Sequence, residues 1–395
     1  MTSSRFAPLR DIARLDLDVV DVERTAEYPI AGVYGFGRGL IDRGVIQGSE
    51  TSYSRLQRLH SGQVVLSRLK AFEGAVAVVP PEFDGFFASQ EFPTFTIDES
   101  RASIHYIAHL CRWPDFWSSL GSGSKGIGAR RERLHADEFL ELEIQLPPID
   151  EQRRIAQRLD AILSRVEAGF RQVEQAVRKA NAVRWATLRA IFDRLSETWG
   201  TSRLVDVVEL NPESVRPERE FSGGSFVYVD IASVANGSGR ITDAKTVFAL
   251  DTPARARKRI RAGDVLVSTV RPNLRGVGLV PPELDGQVCS TGFAVLRPHS
   301  SIDPRFLTFQ ALSDFFIDQL VGEVRGGHYP AVNDRTLREA RIIVPESQAA
   351  QITSVADLDR ILTTLDGLST RLSRRSTELG ALGLSTLNAA FSQFS

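Results

Sequence analysis

Up to about residue 149 the hydrophobic positions come in short runs broken by Gly and Pro, as at 63–69 and 74–79, and these read as β-strands. A helical stretch is expected there only around 104–120. After Pro147-Pro148 the period changes. Asp150 stands as an N-cap, proline does not recur until Pro212, and Ile155, Leu159, Ile162, Val166, Phe170, Val173, Val177, Leu188, Ile191 and Leu195 follow at steps mostly of three and four. This predicts a helix of about 45 residues, roughly 68 Å long at 1.5 Å per residue, ending at Trp199-Gly200 and carrying a seam for another helix.

The pattern then starts again. Residues 204–210 echo 9–15, and 341–345 echo 143–147. Pro80-Pro81-Glu82-Phe83-Asp84-Gly85 returns as Pro281-Pro282-Glu283-Leu284-Asp285-Gly286, a shift of 201 residues that also brings Gly62, Val64, Ser67, Ser89 and Phe92 onto Gly263, Val265, Ser268, Ser290 and Phe293. Ser347 can cap a last helix with Val355, Leu358, Leu362, Leu365, Leu372, Leu379 and Leu387 at near-heptad spacing. Gly367, Gly380 and Gly383 weaken it by about 1 kcal/mol each, so it is expected to need the first helix as support. The expected class is α+β, with two mainly β domains and two long antiparallel helices as spacer. The expected segments are 1–149, 150–199, 200–346 and 347–395. Two similar but unequal domains give a pseudo-twofold object able to grip two different targets.

Composition changes this picture little: 395 residues, 42% apolar and 25% charged, are ordinary for a globular chain. Cys111 and Cys289 stand in unlike contexts, which supports neither a disulfide framework nor a CxxC metal site. Met1-Thr2-Ser3-Ser4-Arg5 does not lead into an apolar core, and no run long enough to cross a membrane occurs, so a cytoplasmic location is expected. The net charge of −1 argues against indiscriminate coating of nucleic acid, but its distribution is uneven. Between 253 and 275, Arg255, Arg257, Lys258, Arg259, Arg261, Arg271 and Arg275 face one acid, Asp264; Lys125, Arg130, Arg131 and Arg133 form a shorter basic patch in the first copy. Five lysines among 48 basic residues leave arginine dominant, a fork that suits phosphate and guanine edges, although a GC-rich genome gives the same bias.

Catalytic motifs fail on inspection. Val33-Tyr-Gly-Phe-Gly-Arg-Gly39 lacks the GxGxxG spacing, helix and acid of a dinucleotide site, and Gly121-Ser-Gly-Ser-Lys-Gly126 lacks the Gly-Lys-Ser/Thr of a phosphate loop. His105 and His109 stand one helical turn apart near Cys111 but have neither an intervening glutamate nor a third strong ligand, which favours structural histidines. No Asn/Asp-Pro-Pro-aromatic motif of an amino-group methyltransferase and no nuclease-like acidic cluster with lysine occurs. The chain reads as a binder, with a non-catalytic protein adaptor as the rival and an enzyme with an unusual site as the weaker one.

Leu146-Pro-Pro-Ile-Asp-Glu-Gln-Arg-Arg-Ile155, Ser67-Arg-Leu-Lys-Ala-Phe-Glu-Gly74 and the 80–85 repeat carry a resemblance: over essentially its whole length the chain resembles the specificity subunit of type I restriction-modification systems. The resemblance implies two target recognition domains, each reading one half of a bipartite DNA sequence, separated by antiparallel helices. It implies two adenine methyltransferase subunits using S-adenosylmethionine, ATP- and Mg-dependent restriction subunits, and no catalysis or cofactor on this chain. Partner contacts are then expected at Glu151, Gln152, Arg153 and Arg154. The second copy, at 344–351, lacks the Glu-Gln-Arg-Arg run. Candidate DNA contacts are polar and basic residues of Gly-rich loops: Arg38, Arg68, Lys70, Lys125, Arg130 and Arg131 in the first copy, and Arg271, Asn273, Arg275, Arg325, His328, Tyr329 and Asn333 in the second.

Overall fold

The computed structural model of the chain describes residues 5–121, 133–321 and 332–392. It divides into two compact units, one of residues 1–172 with 375–395 and one of 173–374. The chain is mixed α+β, with the helix Ile149–Thr198 lying in sequence between two β-rich domains and a second long helix at Gln348–Phe391.

In the first unit a four-stranded sheet runs Ala13–Leu15, Thr94–Ile97, Val64–Leu66, Val76–Val78. A five-stranded sheet runs Asp18–Asp21, Arg55–Arg58, Phe87–Ala88, Glu27–Val33, Leu40–Gln47. The second unit repeats the first of these orders, Val208–Leu210, Phe293–Pro298, Val265–Ser268, Val277–Leu279, and adds Gly239–Arg240 at the edge. Register repeats as well: Val64 pairs with Val78 and Leu66 with Val76, as Val265 pairs with Leu279 and Val267 with Val277. Val64–Leu66 and Val265–Ser268 are wholly buried, so they begin as continuous Val/Leu runs rather than alternating ones.

The repeated hexapeptide is a turn, and its chemistry explains its identity. Pro81 and Pro282 open single 3-10 turns at a position where the missing N–H costs nothing. Asp84 Oδ1 accepts the Ser61 N–H at 2.8 Å and Asp285 Oδ1 the Ala262 N–H at 2.9 Å. Gly85 and Gly286 then take φ of 79° and 73°, open to glycine without penalty, and donate to Leu59 O and Ile260 O at 2.9 Å.

Each long helix is buried along a broad arc. In the first unit Ala156, Leu159 and Leu163 join Leu387 and Phe391 in one core with Phe95, Tyr106 and Phe139 of the β domain. Gly169 lies against Leu379, Gly380 against Phe170 and Gly383 against Val166, so the two helices run antiparallel there. In the second unit Leu188, Phe192 and Leu195 meet Val355, Leu358 and Leu362 over Val265, Phe306 and Leu337. The most buried positions include Ala156, Leu163 and Phe192, whereas Ile155, Ile162 and Ile191 of the expected seam are half-buried. The reason is that the helix covers a β domain and a second helix at once, which widens the apolar arc beyond a two-stranded seam.

Gln152 and Gln351 tie helix to domain in each copy. Gln152 is fully buried; its Oε1 accepts the Ser103 N–H at 2.8 Å and its Nε2 donates to Arg101 O at 3.1 Å and Pro147 O at 2.8 Å. Gln351 accepts the Asp303 N–H at 2.8 Å and donates to Ser301 O at 2.9 Å. Gln152 therefore corrects the expectation of a partner contact at that position: its polar atoms are all engaged inside the domain. Glu151 is half-buried and ion-paired to Arg154, and Arg153 and Arg154 are exposed.

Candidate nucleic-acid interface

One hairpin connection recurs in both units with a closely related backbone, differing at the residue before its turn, Lys70 at φ −136° and Arg271 at φ 51°. Residues 67–75 join Val64–Leu66 to Val76–Val78, and 268–276 join Val265–Ser268 to Val277–Leu279. Ser67 N–H donates to Ala75 O and Ser268 N–H to Gly276 O, both at 2.8 Å. A 3-10 turn follows in each, Ala71–Glu73 and Pro272–Leu274, closed by a left-handed residue, Gly74 at φ 81° and Arg275 at φ 54°. A second loop leans on that residue in both copies: Gly37 N–H donates to Gly74 O at 3.1 Å and Gly237 N–H to Arg275 O at 2.9 Å.

The side chains presented by this common backbone differ. In the first unit Lys70 and Phe72 are exposed, Lys70 paired with Glu73 at 3.6 Å, and the neighbouring loop adds exposed Tyr34, Phe36 and Arg38. The Arg38 guanidinium lies 4.5 Å from the Tyr34 ring centroid and its Nε donates to Gly35 O at 3.2 Å. Phe36, at 67% exposure and φ 61°, is an apolar ring held out into solvent on a left-handed backbone. In the second unit the tip presents Arg271, Asn273 and Leu274, with Asn236 exposed on the neighbouring loop. Exposed rings beside cations can stack on bases, whereas Arg and Asn can bond base edges. Each hairpin also accepts at an equivalent point from a more C-terminal residue, Leu134 N–H donating to Arg68 O at 2.9 Å and Val332 N–H to Thr269 O at 2.8 Å.

Other expected contacts are placed elsewhere. Arg68 is half-buried, with Nη2 3.4 Å from His135 Nδ1 and Nε buried. Asn333 is a helix N-cap whose Oδ1 accepts the Thr336 N–H at 2.9 Å, which removes the acceptor a two-point base contact needs. Arg275 points inward: it pairs with Asp314, donates to Leu312 O and lies 4.5 Å over the Trp185 ring. Lys125, Arg130, Arg131, Arg325, His328 and Tyr329 lie outside the described residues.

The basic stretch in the second copy is largely consumed by internal ion pairs. Arg257 meets Glu218 at 3.2 Å, Arg259 meets Glu213 and Glu220, and Arg261 meets Glu213 at 3.2 Å. Lys258 donates to Asn211 Oδ1 at 2.8 Å, and burial holds its ammonium below the ordinary lysine range. The acids come from 213–220, far enough away in sequence that a local charge tally cannot see them.

Among the described residues no cluster of metal-ligating side chains occurs, and no helix is long and apolar enough to cross a membrane. His109 is buried with Nε2 2.8 Å from Asp160 Oδ1, and burial pushes the Cys111 and Cys289 thiols up to about 12.

No family model matches the chain. Over 130 residues it is 30% identical to the type I restriction enzyme HindI specificity subunit of Haemophilus influenzae, a stretch that covers 32% of this chain and 28% of that relative. A chain from a structure described as the structural basis of complex assembly and conformational transition of the type I R-M system matches at a TM-score of 0.70 and 22% identity, covering 99% of this chain and 98% of that one. The HsdS subunit from Thermoanaerobacter tengcongensis matches at a TM-score of 0.49 and 22% identity, with 99% and 97% covered. The resemblance read from the sequence therefore holds: the chain is similar in sequence, over about a third of its length, to a type I restriction-modification specificity subunit, and in fold, over nearly all of it, to a chain of such a system.

Proposed function

We propose that this chain is the DNA-reading specificity subunit of a type I restriction-modification complex. Each β domain reads one half of a bipartite target through its hairpin tip and the loop beside it. The observation that carries this is a common hairpin frame used twice with unlike side chains: Lys70, Phe72, Phe36 and Arg38 at one tip, Arg271, Asn273 and Leu274 at the other. Two different half-sites require that combination of common geometry and different chemistry. The long helices set the spacing of the half-sites and dock two adenine methyltransferase subunits through exposed residues such as Arg153 and Arg154. Those partners supply S-adenosylmethionine chemistry, and restriction subunits supply ATP- and Mg-dependent cleavage, so the chain itself is a binder.

The test is co-expression with an adenine methyltransferase partner and long-read mapping of N6-methyladenine in host DNA with and without this chain. One bipartite motif that vanishes with the chain is the expected result; unchanged methylation with an active partner would overturn the reading. The adaptor reading is favoured by one observation, the neutralisation of Arg257, Arg259 and Arg261 by Glu213, Glu218 and Glu220. It requires DNA association that is weak and insensitive to salt, whereas phosphate contacts lose affinity as salt rises.

A further inference from the structure

We infer that Arg275 is the positioning residue of the second recognition surface, an inference that rests on the function just proposed. The turn Pro272–Leu274 is flanked by two non-glycine residues in left-handed conformation, Arg271 at φ 51° and Arg275 at φ 54°. Side chains resist this region, and such residues persist only where the surroundings over-determine them. At the equivalent point the first copy has Gly74, which meets no such resistance.

Arg275 is over-determined by four contacts. Its guanidinium stacks on Trp185, pairs with Asp314 and donates to Leu312 O, while its own carbonyl accepts the Gly237 N–H. Asp314 also accepts from Arg189 Nε at 2.6 Å. Trp185 and Arg189 both belong to the helix Ile149–Thr198, and Trp185 packs against Gly237 so closely that a Cβ there would lie 2.4 Å from its ring. One side chain thus fixes the turn bearing Arg271, Asn273 and Leu274 against the long helix and the neighbouring loop together. The first copy solves the same problem locally: Trp117, from the short helix Pro114–Ser119, covers both Gly37 and Gly74, and Gly74 has no side chain with which to reach the long helix. The aim of the second tip is therefore set from the long helix through Arg275, whereas Gly74, at the equivalent point of the first tip, makes no such reach.

The experiment uses the full chain with its methyltransferase partner. Wild-type methylation mapping defines the motif, and synthetic duplexes carry that motif and every single-base change in both halves. Arg275→Gly keeps the left-handed backbone and removes the tie; Arg275→Lys keeps the charge. The expected result for the glycine variant is a loss of about tenfold in discrimination, the scale of one displaced base contact, confined to one half-site. Hydrogen-exchange protection of the 265–268 and 293–298 strands should stay unchanged, and lysine should recover part of the discrimination. Should the glycine variant lose that protection, Asp314→Asn, which keeps the shape of the partner, is read in the same assay. Unaltered discrimination, or equal loss at both half-sites, overturns the inference. Absence of any motif with the wild-type chain overturns the proposed function, and this inference falls with it.

Discussion

Replacing Gln152 by alanine tests whether one buried amide holds helix and domain together. The side chain makes three hydrogen bonds, to Ser103 N, Arg101 O and Pro147 O, all inside a site from which water is excluded. At about 1 kcal/mol net per bond, with the orphaned partners left buried, the expected loss is about 3 kcal/mol, roughly a hundredfold in the opening equilibrium of this junction. Gln351→Ala, which removes two bonds, should cost about 2 kcal/mol. Gln152→Glu should be worse than alanine, since a carboxylate keeps the contact to Ser103 N but faces two carbonyl oxygens it cannot donate to. Hydrogen exchange followed by mass spectrometry on peptides covering 101–110 and 149–160 measures the opening directly. A Gln152→Ala loss below about 0.5 kcal/mol in those peptides would refute the reasoning, because three unpaired buried groups cannot be that inexpensive.

Two further perturbations follow from buried groups. Burial holds His109 below the ordinary imidazole value near 6.5 and outweighs the opposing bond to Asp160, so the unfolded chain takes up the proton first. The contribution of the neutral ring is complete above about pH 6.5 and is lost as pH falls from there through the folded value. His109→Gln, the residue the second copy carries as Gln310, should abolish that acid-side loss in thermal unfolding of the first unit from pH 7 to pH 5; an unchanged slope would assign it to other groups. Gly237→Ala places a Cβ 2.4 Å from Trp185 at φ 71° and should cost about 2–4 kcal/mol of the second unit's stability by urea unfolding, with a neutral outcome contradicting the packing described.

Much of the architecture was legible because it is written in local chemistry. The turn residues Pro81, Asp84 and Gly85 and their second copies carry the repeat, and the change from Gly/Pro-broken runs to a 3.6-residue period marks the helix that the structure begins at Ile149. The candidate site keeps the sequence expectation where the side chains stay exposed at the hairpin tips, as at Lys70, Arg271 and Asn273. Arg275 and Asn333 look from the sequence like polar loop residues and Gln152 like an exposed residue of the first helical turn, and each is turned inward by a partner remote or offset in sequence: Asp314 and Trp185, the Thr336 N–H, and the 101–103 backbone. Gln351 escaped because the second junction is one residue longer between its proline and its glutamine, which hides the match to Gln152. Phe36 and Phe72 do carry a sequence signal, large rings inside Gly-rich loops, a composition that buries poorly.

The two copies keep one backbone while exchanging the polar groups beneath it, and the exchange is correlated. In the first, Asp16 accepts from Thr96 and, at 3.3 Å, from Gln63, and these bonds, Thr96 first, hold its carboxyl below the usual range. In the second, the positions of Gln63 and Thr96 are Asp264 and Arg297, bound through two contacts of 2.9 Å, with Asp264 wholly buried and Arg297 also reaching Glu213 at 2.6 Å. Two neutral side chains that hold a carboxylate in the first copy have become an ion pair with each other in the second. Transplanting one half should therefore fail: Asp264→Gln leaves Arg297 against Glu213 alone and should cost about 3–5 kcal/mol, the usual result of breaking a buried pair. Adding Arg297→Thr removes the guanidinium that Asp264→Gln leaves without its partner and should return a large part of that loss, because Gln and Thr carry no charge that needs a counter-charge. Urea unfolding of the two single variants and the double one closes the cycle. Additivity within about 0.5 kcal/mol would show the positions to be independent and the correlated exchange to be coincidence. A large favourable coupling would instead mean that duplicated β domains of this kind diverge by replacing polar networks as sets, leaving the hairpin tips to vary on an undisturbed frame.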